Sequence, residues 1–262
     1  MDPALRTAAS GMRAQQTRTE VIANNLANVN TTGFKRSRAH FEDLLYQTVQ
    51  GSTVVGAPEA GTVPAIQVGR GVRLSSVQRL HAQGAVENTG RSLDLAIEGE
   101  GFFQAQTPDG QVAYTRDGSF TVSDQGTLVT QGGYTVVPGI RIPSDAAEIT
   151  VSRTGIVTAR APDEPEGTEI GRLELARFAN PSGLLSVGEN LYTQTAASGE
   201  PVLGFPQEEG MGRLMQGALE SSNVEIVQEM VDMITSMRAY EINSKAIQNS
   251  ERMMETASNM VR

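Results

Sequence analysis

The chain opens and closes on apolar positions spaced three and four residues apart. Asp2-Pro3 offers a side-chain acceptor at an N-cap and a preset φ at the first helical position. Leu5, Ala9, Met12, Gln16, Thr19, Ala23 and Leu26 follow in strict 4-3 steps, with Ile22 beside them. That spacing predicts an amphipathic helix of about 26 residues, roughly 39 Å long. It should fade in Asn28-Val29-Asn30-Thr31-Thr32-Gly33, where Asn and Gly tolerate left-handed backbone and Thr is a weak helix former. At the other end Ile226, Met230, Met233, Met237, Tyr240, Ser244, Ile247, Glu251, Met254, Ser258 and Val261 keep the same step, with Ser222 or Asn223 placed as N-cap ahead of Glu225. A repeat of 3.5 rather than 3.6 residues implies left-handed supercoiling against a partner, as in a coiled coil.

Between these ends the texture changes. Apart from Pro3, no proline occurs before Pro58 and none after Pro206. Residues 47–71 mix Gly51, Gly56, Pro58, Gly61, Pro64, Gly69 and Gly71 with Thr, Val and Ala, which reads as an extended arm. Its short apolar pieces, Val54-Val55 and Ile66-Gln67-Val68, are candidates to pair as strands. From Val72 onward short strands dominate: 95–97, 112–115, 120–122, 128–130, 134–137, 149–152, 156–159 and 170–178. The turns Asp117-Gly118, Gln125-Gly126 and Gly132-Gly133 separate consecutive hairpins. Ala161 to Gly167 is an acidic, Pro-containing loop, and Ser198 to Met211 is a return linker. The predicted fold class is therefore α+β: a discontinuous helical coiled-coil domain made of both termini, with an inserted all-β domain and an arm. The boundaries are 1–46, 47–71, 72–210 and 211–262.

Two amphipathic helices packed on a sheet domain would account for the seams. The composition of the first seam weighs against that. Four large side chains, Leu5, Met12, Ile22 and Leu26, are a thin reserve against the backbone entropy of a long helix, and isolated helices are marginal. Such a helix needs neighbours on several sides. The Met-rich second seam is adaptable enough to meet several non-identical surroundings.

Composition narrows the function classes. The 262 residues contain no Cys, so disulfides and thiolate metal sites are excluded. The net charge is −9. Residues 1–45 carry six Lys/Arg against four Asp/Glu, and 211–262 five against seven, which leaves ten against nineteen in the middle. An acidic middle disfavours nucleic acid as a partner. No stretch approaches the roughly 20 apolar residues of a membrane span. Arg6, Arg13 and Arg18 interrupt the N-terminus, which has no apolar h-region and so does not read as a cleavable secretory signal. A cytosolic protein fits this, as does export by a route that reads no such signal.

Candidate chemistry is sparse. The two histidines, His40 and His81, lack both i,i+4 spacing and a Gly-x-Ser-x-Gly context, so neither a zinc site nor a Ser-His-Asp triad is supported. Gly69-Arg70-Gly71 and Gly99-Glu100-Gly101 are too short for a dinucleotide fingerprint. Glu98 and Glu100, on one face of an alternating strand, are the only plausible glycosidase pair, with Asp94 nearby. Surface carboxylates in an acidic domain explain them more simply. Lys35-Arg36-Ser37-Arg38 reads as solvated loop charge or as a contact with an acidic surface of another subunit. No catalytic residue, cofactor or metal is predicted.

The run Ala23-Asn24-Asn25-Leu26-Ala27-Asn28-Val29-Asn30-Thr31-Thr32-Gly33-Phe34-Lys35-Arg36 resembles the N-terminal signature of the bacterial flagellar axial proteins of the rod and hook. Ile97-Glu98-Gly99-Glu100-Gly101-Phe102-Phe103 is a second match. Ser222-Asn223-Val224, with Glu229 to Ile234 and Arg238 to Lys245, is a third. Phe41 to Gln47, Tyr114 to Phe120 and Gly188 to Tyr192 are most similar to the distal-rod branch. The resemblance implies a self-assembling structural subunit of the basal body that passes torque to the hook, not an enzyme. Other rod or hook positions in the family and, distantly, a cell-wall glycan hydrolase are the competing readings. The implied partners are other copies of the chain, proximal rod proteins, hook protein, the P-ring and L-ring proteins and the flagellar type III export apparatus. The implied location runs from periplasm to outer membrane. The subunit-interface residues expected on this basis are Leu5, Met12, Ile22, Asn24, Asn25, Leu26, Asn28, Gly33, Phe34, Met230, Met233, Met237, Tyr240, Ile247 and Met254.

Overall fold

The structure, a computed structural model, describes residues 3–50, 53–54, 62–63, 65–161 and 167–260. It is α+β, with helix α1 at Pro3–Ala27, helix α2 at Ile226–Met260 and strands between them. Pro3 begins α1 as its ring geometry favours, while Asp2 lies outside the described residues. The chain forms two compact units. One gathers Met1–Leu26, Ser37–Gln78 and Glu225–Arg262; the other gathers Ala27–Arg36 and Arg79–Val224. The Asn-Thr-Gly run that ends α1 thus belongs to the β-rich unit, as do residues 211–224.

In the first unit the two helices are joined by strand pairs. Ser37–Asp43 pairs with Val72–Arg79. Tyr46–Gln50 pairs antiparallel with Ile66–Gly69, and Thr53–Val54 with Thr62–Val63. Ile66-Gln67-Val68 therefore takes Tyr46–Gln50 as its partner rather than the 54–55 segment, and Val55 lies outside the described residues.

The second unit is built on an antiparallel sheet whose central strand is Phe102–Gln106. It pairs with Val112–Thr115 on one side and with Thr135–Val136 and Leu175–Arg177 on the other. Both faces of this strand are covered. Successive side chains alternate across a sheet, so Phe103 enters the main core with Leu95, Ile97, Phe120, Leu173, Leu175 and Leu214, while Phe102 enters an aromatic cluster with Tyr114, Phe178 and Tyr192. The rings meet edge to face, with Phe103 5.0 Å from Phe120 and Tyr114 4.8 Å from Phe178, the arrangement their quadrupoles favour. Glu148–Val151, Ile156–Arg160 and Thr168–Arg172 form a separate three-stranded sheet.

Two of the three predicted turns close hairpins. Gln125-Gly126 joins Phe120–Val122 to Leu128–Thr130, and Gly132-Gly133 joins Leu128–Thr130 to Thr135–Val136. Asp117-Gly118 does not, because Val112–Thr115 and Phe120–Val122 pair with other strands. A Cβ on Gly118 would fall 1.6 Å from the Leu95 carbonyl oxygen, so glycine is needed there for close packing. The expected strand over 170–178 is divided into Thr168–Arg172 and Leu175–Arg177, which belong to different sheets.

Candidate assembly surface

Helices α1 and α2 pack antiparallel, and the groups that join them are polar or small. Asn25 Nδ2 donates to Glu229 Oε2 at 3.1 Å. Arg18 pairs with Asp232 at 3.1 Å. The Ser236 hydroxyl lies 3.0 Å from that of Thr19 and donates to the Gln15 carbonyl. A Cβ on Gly11 would sit 3.0 Å from the Asn243 side chain. On α2 the contact line is Glu229, Ser236, Asn243 and Ser250, spaced by seven residues, and three of the four are buried. On α1 the facing positions are Gly11, Gln15, Arg18, Ile22 and Asn25. Hydrogen bonds fix the register here, and little apolar area is removed from water.

The apolar residues of α2 face elsewhere. Val227 is 76 % exposed and Met237 55 %, and Ile226, Met230, Val231, Ile234, Tyr240 and Ile242 are exposed as well. The first three turns of α2 are apolar on more than one side, which in a stable helix signals burial by several neighbours. Among residues expected at a subunit interface, Met230, Met237, Tyr240, Met254 and Asn24 are exposed, and Leu5, Met12, Leu26, Asn28, Met233 and Ile247 are half-buried. Ile22, Asn25, Gly33 and Phe34 are buried in the single chain. The Asn25 side chain also donates to the Ser37 carbonyl and accepts from the Ser37 amide, both at 2.8 Å, clamping the end of α1 to the start of the first strand. Asn223, expected as the α2 N-cap, is committed to the β-rich unit, where it bonds the Leu80 and Ala82 carbonyls and the Arg36 amide.

Lys35, expected as solvated loop charge or as a contact with an acidic surface of another subunit, is instead buried within the β-rich unit. Its Nζ donates to the Ala82 carbonyl at 2.8 Å and to Glu220 Oε1. The other Glu220 oxygen accepts from Arg116 Nε at 2.7 Å, and Gly84 N donates to Oε1 at 2.9 Å. Arg116 also donates to the carbonyls of Ile97, Gly99 and Gly101, so every face of the guanidinium is occupied. Burial pushes the Glu220 carboxyl up, but Arg116 and Lys35 together hold it below its ordinary range. Gly33 makes this docking possible. Its φ is +67°, its amide donates to the Glu220 carbonyl at 2.8 Å, and a Cβ would meet Asp117 N at 2.7 Å. Next to this network His81 packs edge-on to Phe102 and Tyr192. Burial, and then the charges of Lys35, Arg79 and Arg116, lower its pKa to about 4.

The carboxylates considered for glycan chemistry are placed for another task. The strand carrying Glu98 ends there, so Glu98 and Glu100 do not share a strand face. Arg213 clasps Glu98 with two hydrogen bonds, at 2.7 and 2.9 Å, and lowers its pKa, the opposite of what a general acid requires. Glu100 is exposed, 3.7 Å from Arg177. Among the described residues no group of three or more His, Asp and Glu side chains is arranged to hold a metal, and no helix is long and apolar enough to cross a membrane.

Three family models match in chain order. The flagella basal body rod protein model covers residues 5–35, the flagellar hook protein FlgE/F/G D1 domain 96–159, and the flagellar basal body rod FlgEFG protein C-terminal model 215–260. The flagellar basal-body rod protein FlgG of Borreliella burgdorferi is 49% identical over 99% of this chain and 98% of its own length. The FlgG of Caulobacter vibrioides is 47% identical over 98% of each chain, whereas the FlgF rod protein of that organism is 35% identical over 98% and 97%. The outward apolar side of α2 agrees with a structural role. By full-length identity and by three matched segments, the chain belongs to the flagellar basal-body rod protein family.

Proposed function

We propose that the chain is a structural subunit of the distal rod, assembling through its terminal helices into a rigid helical tube that carries torque to the hook. The exposed apolar side of α2 carries this reading. A helix that turns apolar residues outward on more than one side, and is tied to its own chain by polar contacts, is incomplete until copies surround it. In the assembly α1 and α2 act as coiled-coil strands, and residues 47–71 act as an arm that braces adjacent subunits. Proximal rod proteins and hook protein are the axial neighbours, and the P-ring and L-ring proteins encircle the tube between periplasm and outer membrane. Delivery is by the flagellar type III apparatus. Greater identity to FlgG than to FlgF of one organism favours the distal rod over another rod position. The clasp of Arg213 on Glu98 disfavours glycan hydrolysis.

Electron microscopy of the concentrated full chain tests the proposal, with straight tubes as the expected result. A variant lacking residues 1–26 should form none, while the melting of its β-rich unit stays near that of the full chain. Tubes from that variant, or collapse of its β-rich unit, would contradict the reading.

A further inference from the structure

The two helices of the first unit do not end together. Contacts of Asn25 with Glu229, Ser236 with Gln15 and Thr19, and Gly11 with Asn243 fix an antiparallel register that sets Pro3 opposite the residues just after Ser250. Residues 251–260 therefore run past the start of α1, by about 15 Å at the helical rise. All ten are exposed, with Met260 at 82 % and Met254 at 43 %. This overhang carries Glu251, Arg252 and Glu255 beside Met253, Met254 and Met260.

The same unit holds a groove of about 690 Å³ between α1 and a wall made by Leu44, just past the first strand, and the start of the strand Val72–Arg79. Ala9, Ser10 and Ala14 leave its floor shallow, Leu44 and Leu74 form an apolar wall, and Arg6 and Arg13 stand on α1 beside it. No ion pair of either arginine is recorded among the described residues, whereas Arg73, also on the wall, is taken by Glu42 at 3.0 Å. The groove lies on the side of α1 away from the α2-facing residues Gly11, Gln15 and Arg18. A straight α2 cannot turn back into it, so the overhang of a chain cannot fill that chain's own groove.

We propose that the α2 overhang of one copy seats in the α1 groove of a second copy. Glu251 and Glu255 meet Arg6 and Arg13, and the overhang methionines meet Leu44 and Leu74. The contact is heterologous, since peg and socket are different surfaces, and repeated heterologous contacts that do not close build an open filament. The inference rests on the assembly reading above and specifies one of its joints.

The Cys-free sequence allows a clean test. Full-length Ala9→Cys and Met254→Cys, mixed, assembled and oxidised, should give a disulfide-linked pair containing one of each. The charge-reversed chain Arg6→Glu/Arg13→Glu should need at least tenfold more protein to assemble, as should Glu251→Arg/Glu255→Arg. All four changes in one chain should restore assembly. Polymers that form with no mixed cross-link, or reversals that the combined variant does not rescue, would overturn the groove assignment alone. A parent chain that never polymerises would overturn the assembly reading itself.

Discussion

The two units of this protein solve opposite problems. The β-rich unit gathers its aromatic rings and many of its large aliphatic side chains into buried clusters, and both faces of Phe102–Gln106 are covered by its own residues, although Leu185, Val187 and Leu203 stay exposed. Where it buries charge, at Lys35, Glu220 and Arg116, it supplies partners on every side. The helical unit spends its internal contact on Asn25, Glu229, Ser236 and Asn243, and turns Val227, Met230, Ile234 and Met237 outward. One unit has apolar clusters of its own. The other is specified in register but left short of apolar burial, the condition of a part made to be completed by copies.

The largest effect that would break this contrast is expected at Glu220. Glu220→Ala strands two buried cations, and loss of one partner of a buried pair costs about 3–5 kcal/mol. Denaturant unfolding should show that loss in the β-rich unit. A change under about 1 kcal/mol would mean that the network is not what holds the signature loop there.

A somewhat smaller effect should appear with pH. The folded pKa of His81, about 4, lies below its ordinary value of 6.5. The folded state thus binds fewer protons between these values, and stability present above pH 6.5 is lost as pH falls toward 4. The span is worth roughly 3 kcal/mol at full burial. Comparing wild type with His81→Phe at pH 7.5 and 4.5 isolates this share, and equal losses in both would contradict it. Smallest in the single chain should be Met237→Ser. Its exposed side chain should change monomer stability by no more than about 0.5 kcal/mol, while raising the concentration needed for assembly. A large monomer effect would show that Met237 is already packed.

How much of this was legible depends on how local the cause is. The limits of α1 were readable because Pro3 and the Asn-Thr-Gly run act on their own backbone, and α1 spans Pro3–Ala27. The Gly132-Gly133 hairpin was readable for the same reason. The packed face of α2 was not. Weighting apolar positions selects the Met line, whereas the contact with α1 follows the polar seven-residue spacing of Glu229, Ser236, Asn243 and Ser250, a signal visible only to a search that gives polar residues equal weight. Lys35 sits in a basic run and reads as surface, and its burial is decided by Glu220, 185 positions away. Asp117-Gly118 carries the composition of a hairpin turn, yet Gly118 is there to approach Leu95. The resemblance, by contrast, named the family from three short segments, because those segments hold α1, the central strand and α2.

The outward side of α2 can be tested through its methionines. Brief peroxide treatment followed by peptide mass spectrometry reads sulfoxide formation at Met230, Met237 and Met254 in dilute chain and in concentrated, assembled protein. Rapid oxidation of all three when dilute, with at least tenfold protection after assembly, is the predicted result. Methionines equally reactive in both states would contradict the account, since the side of α2 left bare in the single chain would then be bare in the assembly too.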